Sequence, residues 1–199
     1  MMDLLDLEGP QPSSPRSMSV PDSGPLVRLN LQTYNFSVRE FYLRAGDEAH
    51  WVLDAPYQRG RLWSEEQNLN LIRSLLQGIP IGVIFTNHRN WGSASLFIVD
   101  GKQRISAIRD FVEGRLAAPA RWFVEADLEN AEDALAKGTV SYMDLSQRGR
   151  LHFDGSTVAV SESKLPNLEA EADLYLLINF GGVAQTEEDR ARARAVAAS

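Results

Sequence analysis

Ser95-Leu96-Phe97-Ile98-Val99-Asp100-Gly101-Lys102-Gln103-Arg104-Ile105 changes its hydrophobic period in mid-stretch. Residues 95–99 are mostly apolar and partly β-branched, the composition of a strand inside a sheet. Gly101 permits a tight reversal with positive φ, which a residue carrying a Cβ resists. From Gln103 onward Ile105, Ala107, Ile108, Phe111 and Val112 fall on one face of a helix, and Gly114 is placed to end it. The stretch therefore reads as strand, turn and helix, with Asp100, Lys102, Gln103 and Arg104 gathered at the corner. The amide N–H groups of a helix start lack intrahelical acceptors and attract anions, phosphate above all. An Asp at such a corner is also a common cap, so further residues must decide its meaning.

The chain has 199 residues, 44% hydrophobic and 24% charged, a size and balance suited to one soluble domain. No apolar run approaches the ~20 residues that span a bilayer, and the N-terminus lacks the pattern of a signal peptide. We therefore expect a cytoplasmic protein with no membrane contact. There is no cysteine, which excludes disulfides, thiolate metal sites and cysteine redox chemistry. A net charge of −7 argues against a surface coated for nucleic acid. It leaves room for a local basic groove, since Arg59, Arg61, Arg89, Lys102 and Arg104 cluster in the segments of interest while acids concentrate over residues 125–132 and 162–189.

Residues 1–25 are rich in Pro, Ser and Gly and read as a flexible tail, leaving 26–199 as a single domain. Ser37 with Glu40 predicts a short capped helix through Leu43, and residues 50–53 a strand. Ser64 and Gln67 predict a capping box for a helix over 64–77, with Leu69, Ile72, Leu75 and Leu76 buried and Gly78 and Pro80 as its stop. Glu65 and Glu66 are explained by helix-start electrostatics without invoking acid–base catalysis. A strand over 81–86 and a polar turn over 87–92 lead back to the central strand, a hairpin-like arrangement. Farther on, the patterns predict helices over 126–136, 141–148 and 169–179, a strand over 157–160, and a last helix opening at Thr186. His50, His88 and His152 show no metal-ligand spacing.

The corner has the chemistry to hold a nucleoside triphosphate. Arg104 offers a planar fork of donors for phosphate oxygens, and Lys102 adds a second positive charge. Asp100 is a candidate to hold Mg²⁺ or its waters or to orient a lytic water, and Gln103 to position a phosphate or that water. Arg59, within Tyr57-Gln58-Arg59, is a candidate cation from an opposite wall. The ordinary fate of each arginine is a solvated or ion-paired side chain, that of Tyr57 and Trp63 core packing, and that of Asn179 a helix cap.

Three segments taken together, Tyr57-Gln58-Arg59, Asp100-Gly101-Lys102-Gln103-Arg104 and Ile178-Asn179-Phe180-Gly181-Gly182, resemble a known family in order and spacing. It is the DGQQR-motif family of the ParB/sulfiredoxin-like fold, the N-terminal domain of GmrSD-type modification-dependent restriction enzymes. The resemblance runs from about residue 53 to 186 and is specific in combination, weak piece by piece. It implies an α+β fold with a small mixed sheet flanked by helices, and nucleotide binding and hydrolysis coupled to restriction of modified DNA. By position Asp100, Gly101, Gln103 and Arg104 match its motif, Arg59 its upstream arginine and Asn179 its downstream asparagine; Asp100, Gln103 and Arg104 are expected to be catalytic, with Asp100 the metal ligand. Tyr57, Gln58, Arg59, Gly101, Lys102 and Asn179 become nucleotide-binding residues. Lys102 stands where the motif has glutamine, so binding is better supported than turnover.

Members of this type continue into a histidine-dependent HNH nuclease domain, and this sequence contains no His-x-x-Pro segment. The expectation is a nucleotide-binding, Mg²⁺-dependent domain serving restriction or phage–host conflict. It would act on DNA directly or through a separate nuclease or regulatory protein. The alternative is a DNA- or protein-binding module that keeps the fold without turnover. Direct nicking by this domain ranks below both, for want of a dense acidic cluster.

Overall fold

The computed structural model describes residues 28–45, 51–53, 63–88 and 95–180. The predicted tail, Tyr57-Gln58-Arg59 and the helix opening at Thr186 lie outside the described residues. The elements in chain order are β1 (Gln32–Ser37), α1 (Val38–Ala45), β2 (Trp51–Val52), α2 (Glu65–Leu76), β3 (Val83–Asn87), β4 (Leu96–Asp100) and α3 (Lys102–Val112). There follow β5 (Ala118–Pro119), α4 (Ala131–Lys137), β6 (Thr139–Val140), α5 (Gln147–Asp154), β7 (Thr157–Ser163) and α6 (Leu168–Phe180).

Five strands form one mixed sheet in the order β1-β7-β3-β4-β2, and β5 and β6 form a separate pair. This is the expected α+β architecture. β3 runs antiparallel to β4, opposing Thr86 to Ile98, and parallel to β7, opposing Ile84 to Val160. Alternation along the strands sends Ile84, Ile98, Val158 and Val160 into the main core, where Phe41, Ile72, Leu75, Ile105, Ile108 and Phe111 meet them from the helices. A smaller cluster of Val99, Leu165 and Leu174, with Phe85 against it, seats α6. No helix among the described residues is long and apolar enough to cross a membrane.

Local signals were obeyed closely at helix starts. Ser37 Oγ accepts from the Glu40 N–H at 3.1 Å, and Ser64 and Gln67 form both bonds of a capping box. In α2 the fully committed residues are Leu71, Ile72 and Leu75, whereas Leu69 and Leu76 are only partly buried. The predicted helix over 126–136 is instead a 3₁₀ turn at Glu125–Asp127 followed by α4, capped by Asn130. The predicted helix over 141–148 is likewise divided between a 3₁₀ turn at Tyr142–Asp144 and α5, because Ser141 and Ser146 each cap a separate start. β1 was not anticipated: its first four residues are exposed, so it lacks the apolar alternation that marks a strand.

Asn87 is the largest correction. It belongs to β3, not to a polar turn, and is fully buried. Its Nδ2 donates to Glu171 Oε1 at 2.7 Å and to the Leu165 carbonyl at 3.2 Å. Its Oδ1 accepts from the Leu165 N–H at 2.6 Å and the Ser163 hydroxyl at 2.9 Å. One amide thus satisfies the buried connection between β7 and α6. Replacing it with Ala strands several buried polar groups, each at a cost of ~1–3 kcal/mol. Asn87→Ala is therefore expected to lose ~3 kcal/mol or more in denaturant unfolding.

Asp144 supplies a pH-dependent contribution. Burial raises its carboxyl, but the Ser141 N–H and hydroxyl, each 2.7 Å from Oδ2, and Lys137 at 3.5 Å outweigh this and hold it below its ordinary value. A depressed carboxyl stabilises the fold fully above its unfolded pKa of about 4, and the contribution disappears as pH falls through the folded value. Asp144→Asn is expected to lower unfolding free energy at pH 6, and the difference to shrink as pH falls below about 4. A constant difference across that range would contradict the assignment.

Candidate functional site

The central corner is built by two glycines and one arginine. Gly101 lies between β4 and α3 at φ 114°, in the region that only glycine adopts readily. A Cβ there would stand 2.9 Å from Ile84 Cγ1, so the turn also brings α3 against β3. The first intrahelical bond runs from the Ile105 N–H to the Gly101 carbonyl at 3.0 Å.

Arg104 then reaches back over this turn. Its Nη2 pairs with Asp100 Oδ2, and its Nη1 donates to the carbonyls of Val83 at 2.9 Å and Ile81 at 3.3 Å. Gly82 lies between those two carbonyls, and a Cβ on it would sit 3.0 Å from Nη1. The side chains of Arg104 and Asp100 are only 13% and 20% exposed. Burial lowers the Arg104 pKa and the Asp100 carboxylate partly offsets it; the guanidinium stays charged at neutral pH. The pair ties the end of β4, the start of β3 and the first turn of α3 into one unit.

Gln103, on the same turn, accepts at Oε1 from the Trp63 N–H at 3.2 Å, which anchors the residue before the Ser64 cap to α3. The start of α3 is otherwise unlike its neighbours. α1, α2, α4, α5 and α6 take side-chain caps from Ser37, Ser64, Asn130, Ser146 and Asn167. α3 has neither a side-chain cap nor an acid in its first turn. That turn instead carries Lys102, Gln103 and Arg104, and a helix start of this kind favours an anion.

The structure thus brings together Asp100, Gly101, Lys102, Gln103 and Arg104. Asn179 lies on α6, exposed, with its Nδ2 bonded to the Tyr175 carbonyl at 2.9 Å. Among the described residues no group of three or more His, Cys, Asp or Glu is placed to hold a metal. A cavity of about 590 Å³ is lined by Leu75, Ile79, Gly82, His152 and Thr157 among others, and takes no wall from residues 100–104. The contributions of Gly82 and the Trp63 N–H were not read from the sequence. Gly82 has a local signal in its place just after Pro80 and before an apolar strand; a backbone N–H has none.

The family described as GmrSD restriction endonuclease, N-terminal domain, matches residues 43–195, most of the chain and all of this corner. The chain belongs to that family. No curated protein matches it, and no solved structure does. Membership in the GmrSD N-terminal domain family associates the chain with restriction of modified DNA.

Because Gly82 combines a φ of 82° with the close approach of Arg104, Gly82→Ala is expected to cost about 1–3 kcal/mol. Thermal denaturation should show the loss, and an unchanged midpoint would mean that the guanidinium does not depend on this approach.

Proposed function

We propose that the corner at Asp100–Arg104 binds a nucleoside triphosphate with Mg²⁺, as the nucleotide-responsive part of a restriction system. The observation that carries this is the start of α3: alone among the described α-helices it lacks both a cap and an acid, and it carries Lys102 where phosphate charge would lie. The N–H groups of its first turn donate to phosphate oxygens, and Lys102 supplies a point charge. Arg104 acts through its own position, holding Asp100 and the turn while lending positive charge at short range.

Magnesium fits this donor set when the nucleotide brings it. Mg²⁺ accepts one or two carboxylates and takes its other ligands from phosphates and water. Asp100, whose Oδ2 is paired with Arg104, would be the carboxylate offered to the ion. By its match to the upstream Tyr-Gln-Arg segment, Arg59 with Tyr57 and Gln58 enters the reading as the opposite wall, and Asn179 as a further lining residue. DNA contact, in a chain of net charge −7, would be confined to the basic segments around this corner.

A second reading, a module that binds without turnover, is favoured by the commitment of Arg104 and Asp100 to each other. Titration calorimetry with slowly hydrolysed ATP, GTP and CTP analogues and Mg²⁺ separates the cases. Binding of at least one analogue is expected, weakened at least tenfold by Lys102→Glu, about 1.4 kcal/mol. No binding to any of the three by folded protein would overturn the proposal. Binding without phosphate release from the natural nucleotide would select the second reading.

A further inference from the structure

We propose that the open edge of β1 is a pairing surface for a second copy of this chain, joining two sheets through an antiparallel contact of β1 with β1. The five-stranded sheet has β1 at one edge and β2 at the other. β2 is two residues long, a blunted edge, whereas β1 runs for six. Residues 29–38 contain no charge, no proline and no glycine, so the usual devices that keep an edge from pairing are missing from the stretch. Gln32, Thr33, Tyr34 and Asn35 are all exposed. An edge presents N–H and C=O groups in strand spacing, and only another extended polypeptide matches that series.

The ladder to β7 fixes which backbone groups are on offer. Gln32 opposes Glu162 and Ser37 opposes Thr157, and in the same register the Val38 N–H donates to the Ser156 carbonyl at 2.8 Å. Antiparallel bonding alternates along a strand, so Gln32, Tyr34 and Phe36 bond to β7 while Thr33 and Asn35 turn their N–H and C=O groups to the open side. The Leu31 N–H is already given to the Leu29 carbonyl at 3.0 Å, and after Ser37 the chain enters α1. A two-fold axis beside Tyr34 uses both outward residues. Thr33 of each copy then opposes Asn35 of the other, in hydrogen-bonded pairs that exchange N–H and C=O. Tyr34 meets its own counterpart in the closer, non-hydrogen-bonded pairing. Its ring is 42% exposed and lies 6.2 Å from that of Phe36, so the contact extends an aromatic cluster already present on this strand. Charge favours the same place: two chains of net charge −7 repel each other, and an uncharged stretch is where they approach most easily.

Sedimentation equilibrium of the full chain over a series of concentrations reads the association. Dimers are expected, and a larger fraction of them as added salt screens the repulsion between the two copies. Tyr34→Lys and Tyr34→Glu each set like charges face to face on the axis, and each is expected to raise the dissociation constant roughly tenfold while circular dichroism shows a folded protein. Mixing the two variants in equal amounts is expected to restore association, because a lysine then faces a glutamate. Asn35→Pro removes one outward N–H without touching the bonds to β7, and is expected to weaken the dimer as well. A wild type that stays monomeric at every concentration would overturn the proposal. So would variants that associate as the wild type does, or a mixture that fails to recover. Slow hydrogen exchange at the Thr33 and Asn35 amides in dilute, monomeric protein would also overturn it, by placing another segment of the same chain on the edge.

Discussion

The Arg104 guanidinium is the contact on which the corner depends. It is one cation serving a carboxylate and two backbone carbonyls in a largely buried position. Removing a charge from water is costly, and only full satisfaction by hydrogen bonds and an opposite charge offsets it. Asp100 and the carbonyls around Gly82 meet that requirement. They also weld three pieces of chain that converge at one end of the sheet. The planar fork of arginine matters here, because a lysine ammonium has no fixed geometry with which to span such partners. Gly82 and Gly101 serve the same end, one admitting the guanidinium and the other admitting Ile84.

Around this unit the protein treats one helix start differently from the rest. Capping groups at the other α-helices satisfy orphan amides and stabilise each start by roughly 1 kcal/mol. α3 forgoes that stabilisation and carries Lys102, Gln103 and Arg104 in its first turn instead. Its stability comes from elsewhere: Ile105, Ala107, Ile108 and Phe111 are all fully buried, so packing holds the helix without help from its terminus. Core contacts thus offset the missing cap.

Much of the fold was legible because its signals are local. The capping residues Ser37 and Ser64, the period change at Gly101 and the αL glycine at 114 act through neighbours a few residues away, and all four appear where the pattern placed them. Signals failed where the decisive partner is distant. Asn87 reads as a turn residue by its chemistry, yet Ser163, Leu165 and Glu171 supply the hydrogen bonds that make its burial tolerable. β1 has no buried face of its own to announce it and is a strand because β7 offers a ladder along its whole length.

The candidate site divides in the same way. By itself the sequence determined that a polar, partly cationic set would sit at a strand-to-helix corner, since a glycine between a period of two and a period of 3.6 permits little else. Only the tertiary structure decided what each side chain faces. Arg104 turns inward to Asp100 and the 81–83 segment, and Gln103 turns its carbonyl to Trp63. The reason is physical: secondary structure follows from short-range backbone preferences, whereas a hydrogen bond between residues 40 positions apart exists only after packing has brought them together.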